Sequence, residues 1–193
     1  IAQLTVSQSS FSCADIGANI LTLMAMDNSG NMSVGCMATV TVEDNLNPTA
    51  ICQSVSVMLD GAGMAAVSTG DIDNGSFDNC NVNSLSLSQE SFSCSDLGTN
   101  LVSLTATDDD GNTGSCLAVI EVQDSMAPNA QCTGTTVMLS ANGNGTITAS
   151  DIDGGSSDVC GIASLSASPM SFGCNDIGSN SVVLTVTDNA GNI

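Results

Sequence analysis

The segment VNSLSLSQESFSCSDLGTNLVSLTATD, residues 82–108, indicates the architecture because it occurs three times in the chain. It matches IAQLTVSQSSFSCADIGANILTLMAMD at residues 1–27 and IASLSASPMSFGCNDIGSNSVVLTVTD at residues 162–188. The segment ATVTVEDNLNPTAIC (38–52) recurs as AVIEVQDSMAPNAQC (118–132). The interval between matching segments is about 80 residues, which is typical of an array of repeated domains.

This repeat predicts how the chain is divided into domains. Residues 46–125 form one complete domain, which we call the middle copy. Residues 1–45 are the C-terminal part of a preceding domain, the first copy. Residues 126–193 are the N-terminal part of a following domain, the third copy, whose last strand is missing. Neighbouring copies of one long chain are therefore the expected partners of each domain.

Apolar and polar residues alternate along several short segments of each copy. Val102, Leu104 and Ala106 fall on one side of a predicted strand, with Ser and Thr between them. Such alternation indicates strands with one buried face. Turn sequences such as ANGNG and DDDGN separate the segments, and no segment has a convincing helical period. We therefore predict an all-β fold of tandem immunoglobulin-like β-sandwiches.

Each copy has one aromatic residue suited to the core: Phe11, Phe92 or Phe172. A domain of about 80 residues buries only a thin core, so we expect cross-links to stabilise it. Disulfides and bound cations are the cross-links that this composition offers.

The charge composition excludes several functions. The 193 residues include no Lys, Arg, His, Trp or Tyr, and the formal net charge is −20. Without cationic side chains, the chain has no surface for nucleic acid or anionic lipid. No His or Lys can activate a Ser or Cys nucleophile, so we expect no enzyme. No stretch reaches the roughly 20 apolar residues of a membrane span.

Nine cysteines, without a CxxC pair or a His, indicate disulfides formed in an oxidising, extracellular environment. The four in the middle copy, Cys52, Cys80, Cys94 and Cys116, allow three pairings. We favour Cys52 with Cys116, because the first and last strands of an immunoglobulin-like sandwich can run side by side in parallel. Cys80 with Cys94 follows by elimination. A pairing between adjacent copies is the alternative.

The same elimination pairs Cys160 with Cys174 in the third copy. Three cysteines then remain, Cys13, Cys36 and Cys132, and we expect their partners to lie wholly or partly outside this chain. Truncation of the neighbouring copies would thus account for the odd number of cysteines.

Three motifs resemble a known family. They are the run F-x-C-x-D-[IL]-G-x-N, the ending LTATD-x-x-GN and the linker D-x-x-x-P-x-A-x-C. They resemble the hyalin-repeat (HYR-like) immunoglobulin-fold domains, above all those in very large surface adhesins of gliding and filamentous Bacteroidetes. The resemblance implies a cell-surface adhesive or structural role and export of a giant polypeptide by the type IX route. It does not imply an enzyme.

Acidic residues recur in three places along the chain. DIDNGSFDNC (71–80) matches DIDGGSSDVC (151–160), and further acids lie in the linkers and in the turn between the last two strands. In a sandwich these loops lie at one end, and converging carboxylates favour Ca²⁺, which accepts six to eight oxygens. The predicted metal ligands are Asp44, Asp71, Asp73, Asp78, Asp108, Asp110, Asp124, Asp151, Asp153 and Asp158. The competing interpretation is that Asp, Asn and Gly simply form solvated turns.

The two linkers are short. Only three residues separate Asp44 from Pro48, and three separate Asp124 from Pro128. Because such linkers cannot behave as flexible coils, we expect the domains to stack end to end as a rod, each adding roughly 40 Å.

Three functions remain compatible with these features. The first is a non-catalytic stalk or spacer of a cell-surface adhesin or filament, whose distal regions bind surface glycans or other cells. The second is a subunit that assembles into an extracellular filament. The third is an accessory carbohydrate-binding module of a secreted enzyme, which the absence of Trp and Tyr disfavours because sugar rings stack on aromatic side chains.

Overall fold

The computed structural model describes residues 1–193 and contains 13 short β-strands. The single α-helix, α1 (Thr69–Ile72), has one turn. No helix is long and apolar enough to cross a membrane. The strands are β1 (Gln3–Val6), β2 (Gly17–Met26), β3 (Cys36–Val42), β4 (Val55–Met58), β5 (Met64–Ala66), β6 (Val82–Leu87), β7 (Ser91–Ser93), β8 (Gly98–Asp108), β9 (Thr113–Gln123), β10 (Asn144–Thr146), β11 (Ile162–Ser168), β12 (Ser171–Gly173) and β13 (Val183–Asp188).

The middle copy has the strand order of an immunoglobulin-like sandwich. One sheet has the order β4-β9-β8-β6, and the second pairs β5 with β7. The first strand, β4, runs parallel to the last strand, β9, with Val55 opposite Ile120 and Val57 opposite Val122. The prediction of an all-β, immunoglobulin-like fold is confirmed.

The alternation in the sequence sets which side chains form the core. Val102, Leu104 and Ala106 of β8 are fully buried, and so are the alternate residues Ala118, Ile120 and Val122 of β9. The intervening residues of both strands are exposed or only partly buried. Phe92 and Ile72 are buried with them. A period of two therefore places one face of each strand in a dry core.

The other two copies have fewer strands. In the first copy, β1, β2 and β3 form one sheet, and Phe11, in the connection between β1 and β2, is exposed. In the third copy, β10 pairs with β12 and β11 pairs with β13. Ile147, Ile152 and Val186 belong to its core, and Phe172 packs partly buried against that core.

The residues group into two compact units. The first unit comprises Ile1–Cys52, Asp73–Ser86 and Leu104–Cys116. The second comprises Gln53–Ile72, Leu87–Ser103 and Leu117–Ile193. Each disulfide lies within one unit, as does each of the acidic clusters described below.

One disulfide has the predicted pairing. Cys52 is bonded to Cys116, with 5.9 Å between the Cα atoms. Cys52 precedes β4, and Cys116 lies in β9, so the bond links the two parallel strands near their start. The middle copy is therefore closed by a cross-link between its first and last strands.

The predicted pairing of Cys80 with Cys94 is wrong, and so is that of Cys160 with Cys174. Cys80 is bonded to Cys13 of the first copy. Cys94 is bonded to Cys160 of the third copy. Cys13 thus has its partner within the chain, contrary to expectation, while Cys36, Cys132 and Cys174 are exposed and unpaired. Disulfides therefore connect consecutive copies.

The first linker lies against the start of β9. Pro48 is buried, and a Cβ atom placed on Gly114 would lie 1.9 Å from the Pro48 carbonyl oxygen. Residue 114 must therefore be glycine for the linker to approach this closely. The contact fixes the entry of the chain into the middle copy.

A 3₁₀ turn, Cys94–Asp96, precedes β8 and leads to a pH-dependent prediction. The backbone N–H of Ser93 and then its hydroxyl donate hydrogen bonds to Asp96 Oδ2, at 2.8 and 2.9 Å, and hold the pKa of Asp96 below its ordinary value. A depressed folded-state pKa stabilises the fold above the unfolded-state pKa, about 3.9, and this contribution disappears as pH falls through the folded-state value.

We therefore expect Asp96→Asn to lower thermal stability slightly at pH 7 and to have a diminishing effect below about pH 3.9. Thermal unfolding of both proteins at several pH values measures this difference, and the other carboxylates, common to both, cancel from it. A difference that stays constant down to about pH 2, well below the unfolded-state pKa, would contradict the assignment.

Candidate functional site: two acidic clusters

Three carboxylates from separate segments meet in the first unit. Asp44 belongs to the first linker, Asp78 lies in the loop before β6, and Asp108 ends β8. One oxygen from each lies within 4.8 Å of the others. Asp108 is buried, with 2% of its surface exposed, and the other two are half-buried. Three negative charges at this spacing repel one another unless a proton or a cation is present.

Asparagine side chains hold this cluster in place. Asn112 Nδ2 donates to Asp108 Oδ2 at 2.7 Å and to the Asp44 carbonyl oxygen at 3.0 Å. Asn79 Nδ2 donates to Asp44 Oδ2 at 3.0 Å. The linker acid is thereby attached to two loops of the middle copy. These bonds orient the carboxylates without neutralising their charge.

Hydrogen bonds also favour the charged form of the buried acid. Burial raises the pKa of Asp108, but the hydrogen bonds donated by Asn112 and by the backbone N–H groups of Gly111 and Asp110 together lower it by more. The pKa of Asp188, the equivalent acid of the third copy, is lowered in the same way by Asn192. Both groups are therefore ionised at neutral pH.

The corresponding residues of the third copy form a second cluster. Oxygens of Asp124 and Asp158 and the Cys160 sulfur lie within 4.8 Å of one another. Because Cys160 is bonded to Cys94, its sulfur is not a thiolate, and only the two carboxylates offer charged oxygen atoms to a cation. Asn192 Nδ2 donates to the Asp124 carbonyl oxygen at 3.1 Å, as Asn112 does at Asp44.

One substitution between the copies distinguishes the two clusters. Where the first has Asn79, the second has Val159, which cannot donate a hydrogen bond. As a result, Asp124 Oδ2 is buried and has no hydrogen-bond partner, and only 8% of the Asp124 surface is exposed. A buried carboxylate oxygen without a partner is costly. Asp124 lies beside the Asp158 carboxylate, so a cation between them would satisfy both.

The other predicted ligands lie outside both clusters. Asp71 accepts hydrogen bonds from the backbone and side chain of Ser68, at 2.8 and 2.6 Å, at the start of α1. Asp73 accepts from Ser76 in the following turn. Asp151 and Asp153 repeat these roles with Thr148 and Ser156, and Asp110 donates its backbone N–H to Asp108 Oδ1. For these five residues the structure agrees with the turn-forming interpretation.

Sequence reasoning missed the asparagines. The Asp and Asn of the T-D-x-x-G-N ending are four residues apart in the middle and third copies, and in each the Asn side chain bonds the Asp carboxylate. The first copy has the same bond between Asn31 and Asp27. This constant spacing of four residues could have indicated the hydrogen bond between the Asn and the Asp. Nothing in the sequence indicated that the Asn would also bond the linker carbonyl 68 residues away.

No protein-family model matches the chain, and no curated protein matches it. Among solved structures, the chain is similar to the extracellular cadherin domains 1–4 of protocadherin gamma B7, with a TM-score of 0.36 and 14% sequence identity. The alignment covers 99% of this chain and 59% of that one, so the chain spans about three fifths of the cadherin fragment. The three disulfides of the chain fit an extracellular structural module.

Proposed function

We propose that the chain is part of the stalk of an extracellular, cell-surface adhesin or filament, and that it has a mechanical role without catalysis. The disulfides between copies carry this proposal. Cys13–Cys80 and Cys94–Cys160 each join the cysteine of the Phe-x-Cys motif of one copy to the loop that precedes β6 or β11 in the next copy. A cross-link at each junction, in addition to the linker, suits a module that transmits force.

The linkers support the same role. Asp44 is attached through hydrogen bonds to Asn79 and Asn112, and Pro48 is packed against Gly114. A linker with these contacts and only three residues between the Asp and the Pro has little freedom to bend. Each junction then has two attachments, one through the linker and one through the disulfide, and a junction held at two points resists hinge motion.

Calcium is the cation we propose for the junctions. The candidate ligands are carboxylate oxygen atoms, which Ca²⁺ prefers. These carboxylates belong to the linker and to loops of the following copy. The unpartnered Oδ2 of buried Asp124 makes the Asp124–Asp158 pair the stronger of the two sites. A bound ion would remove the repulsion at the junction and thereby stiffen it.

The sequence motifs are the basis for a proposal about the family and the source of the protein. We propose that the protein is a HYR-like surface adhesin of a gliding or filamentous bacterium of the Bacteroidetes, exported by the type IX route. Its domains would be residues 46–125, with partial neighbours at 1–45 and 126–193. Consecutive copies of the repeat are the immediate partners, and surface glycans or other cells would be bound by other parts of the protein.

A concatenated protein of several middle copies tests this proposal. We expect small-angle scattering in calcium to show a rod that lengthens by roughly 40 Å for each added copy. The persistence length should fall on chelation and fall further when the two cysteines of each junction are replaced by serine. A chain that is flexible even when its disulfides are intact and calcium is present would contradict the stalk function.

A further inference from the structure

The second cluster differs from the first because it includes a sulfur atom. One oxygen each of Asp124 and Asp158 lies within 4.8 Å of the other and of the Cys160 sulfur. In the first cluster the third member is Asp108, and the sulfur of the equivalent Cys80 lies outside the group. Thiolate sulfur is a ligand for Zn²⁺, whereas Ca²⁺ takes oxygen ligands. The second cluster therefore offers two sets of ligands, depending on whether Cys160 is in a disulfide or is a thiolate.

Asp124 supplies an oxygen atom that no group of the protein binds. Its Oδ2 is buried without a hydrogen-bond partner, and only 8% of the surface of the residue is exposed. In the first cluster, Asn79 donates to Asp44 Oδ2 at 3.0 Å, but Val159 replaces that asparagine here. Because a buried carboxylate oxygen without a partner is costly, a cation at this position lowers the free energy of the folded chain. This atom points to a bound metal ion independently of the grouping of the acids.

Hydrogen bonds that do not involve the disulfide hold three of the ligands in place. In the turn after β13, Asn189 Nδ2 donates to the Cys160 carbonyl oxygen at 2.7 Å, and Asn192 Nδ2 donates to the Asp124 carbonyl oxygen at 3.1 Å. The Cys160 backbone N–H donates to Asp158 Oδ1 at 2.7 Å. None of these bonds uses a sulfur atom, so they can form whether Cys160 is oxidised or reduced.

Cys94 provides a fourth ligand. Its sulfur is bonded to that of Cys160, and the turn between β4 and β5 packs against it: a Cβ atom placed on Gly63 would lie 2.8 Å from the Cys94 sulfur. Before the disulfide forms, both sulfurs are thiols. Two thiolates on one tetrahedral zinc ion lie about 3.8 Å apart, given Zn–S distances of about 2.3 Å. The two sulfurs therefore need to separate only to that distance to bind the same ion.

We propose that the reduced chain binds one zinc ion here, through the thiolates of Cys94 and Cys160 and the carboxylates of Asp124 and Asp158, and that formation of the disulfide expels the metal. Two thiolates and two carboxylates complete the tetrahedral coordination of Zn²⁺. Oxidation leaves only the carboxylates, which are ligands for Ca²⁺. The zinc site shares these carboxylates with the proposed calcium site, but it depends neither on calcium binding nor on the stalk function.

The exchange between the two states involves the following steps. Each thiol loses its proton when Zn²⁺ binds, so the reduced chain releases two protons for each zinc ion. A small disulfide such as oxidised glutathione then accepts two electrons from the two thiolates. The bond between Cys94 and Cys160 forms, the glutathione disulfide breaks into two glutathione thiolates, and Zn²⁺ leaves. Until then, the metal keeps together the two sulfurs that are to be bonded, in a chain of nine cysteines.

The test uses the full chain with Cys36→Ser, Cys132→Ser and Cys174→Ser, which removes the free cysteines. A water-soluble phosphine reduces each disulfide to two thiols, and one water supplies the oxygen of the phosphine oxide that forms. Titration of the reduced chain with Co²⁺ should give the thiolate-to-metal absorption of a tetrahedral site. Zn²⁺ should displace the cobalt and define the affinity, whereas the oxidised chain should give no such absorption.

Two variants in this background assign the site. Cys160→Ser and Asp124→Asn should each weaken zinc binding at least about tenfold, because each removes a charged ligand and even the loss of an outer-shell partner costs about 10–100-fold. Cys80→Ser and Asp44→Asn are the matched controls, since they change the equivalent residues of the first cluster, and they should leave the zinc affinity unchanged. Circular dichroism measures whether each reduced protein keeps its strands.

Two results would overturn the proposal. If the controls weaken zinc binding as much as Cys160→Ser and Asp124→Asn do, thiols and carboxylates throughout the chain bind the metal without a defined site. If Asp124→Asn retains the full affinity, cysteines alone are the ligands. A reduced chain that has lost its strands and binds zinc equally in all variants gives the second result and is also evidence against the site.

Discussion

Replacing Cys94 and Cys160 together by serine should lower the free energy of unfolding of the chain by about 4 kcal/mol, within the usual range of about 2–5 kcal/mol for a native disulfide. The bond spans 66 residues of sequence, so it removes much of the conformational freedom of the unfolded chain. Denaturant unfolding of both proteins under non-reducing conditions measures the loss.

Cys174→Ser is the matched control for that experiment. Cys174 occupies in the third copy the position that Cys94 has in the middle copy, but it is exposed and unpaired. Its replacement should leave the stability of the chain unchanged. Equal losses in the double variant and in the control would show that the Cys94–Cys160 bond does not form.

Local patterns predicted the middle copy well. The alternation of apolar residues in β8 and β9 identified the buried faces, since side chains of a strand alternate strictly between its two faces. The parallel pairing of β4 with β9, and with it the bond from Cys52 to Cys116, followed from the immunoglobulin-like order of the strands. Each inference required only one domain and its own strands.

Predicting the remaining disulfides required the relation between two copies of the repeat. Cys94 lies just before the start of β8. Cys80 follows closely on Asp78, whose carboxylate meets that of Asp108 at the other end of the same strand. An 11-residue strand is about 35 Å long, so Cys80 and Cys94 cannot meet within one copy. Elimination within the copy therefore failed, because the partner of each cysteine belongs to a neighbouring copy.

The acidic residues were harder to rank for a related reason. The run D-I-D-N-G-S-F-D places Asp71, Asp73 and Asp78 within eight residues, and the sequence does not reveal which of them face the linker. In the structure, the hydroxyl groups of Ser68 and Ser76 donate hydrogen bonds to the carboxylates of Asp71 and Asp73. Asp78 meets Asp44 and Asp108, although it too accepts a local hydrogen bond, from the Cys80 backbone N–H at 2.9 Å. Local hydrogen bonds therefore do not select the residue by themselves, and the selection depends on where the folded loop places each carboxylate.

Calcium at about 10 mM should raise the free energy of unfolding by about 1.4–2.7 kcal/mol if its dissociation constant is about 10⁻⁴–10⁻³ M, the range of extracellular calcium modules. The physical reason is the buried, unpartnered Oδ2 of Asp124, a residue whose carboxylate lies beside that of Asp158. Thermal unfolding in calcium and in chelator measures the effect, and a calcium titration by calorimetry gives the affinity.

Three variants assign that effect to the second cluster. Asp124→Asn should remove the larger part of the calcium stabilisation, because it removes the carboxylate that most needs a cation. Asp153→Asn is the matched control: it makes the same charge change in the loop that carries Asp158, at a carboxylate already bonded to Ser156, and should retain the calcium response.

Val159→Asn places an amide where the first cluster has Asn79, at a side chain that is 42% exposed. An amide there should donate to Asp124 Oδ2, raise stability in chelator and reduce the response to calcium. If chelation leaves the melting temperature of the parent chain unchanged, the carboxylates of the junction do not bind calcium, and the linker contacts and disulfides alone hold the copies together. If Asp153→Asn loses as much of the response as Asp124→Asn, the response depends on the charge of the region and the Asp124–Asp158 pair is not the calcium site.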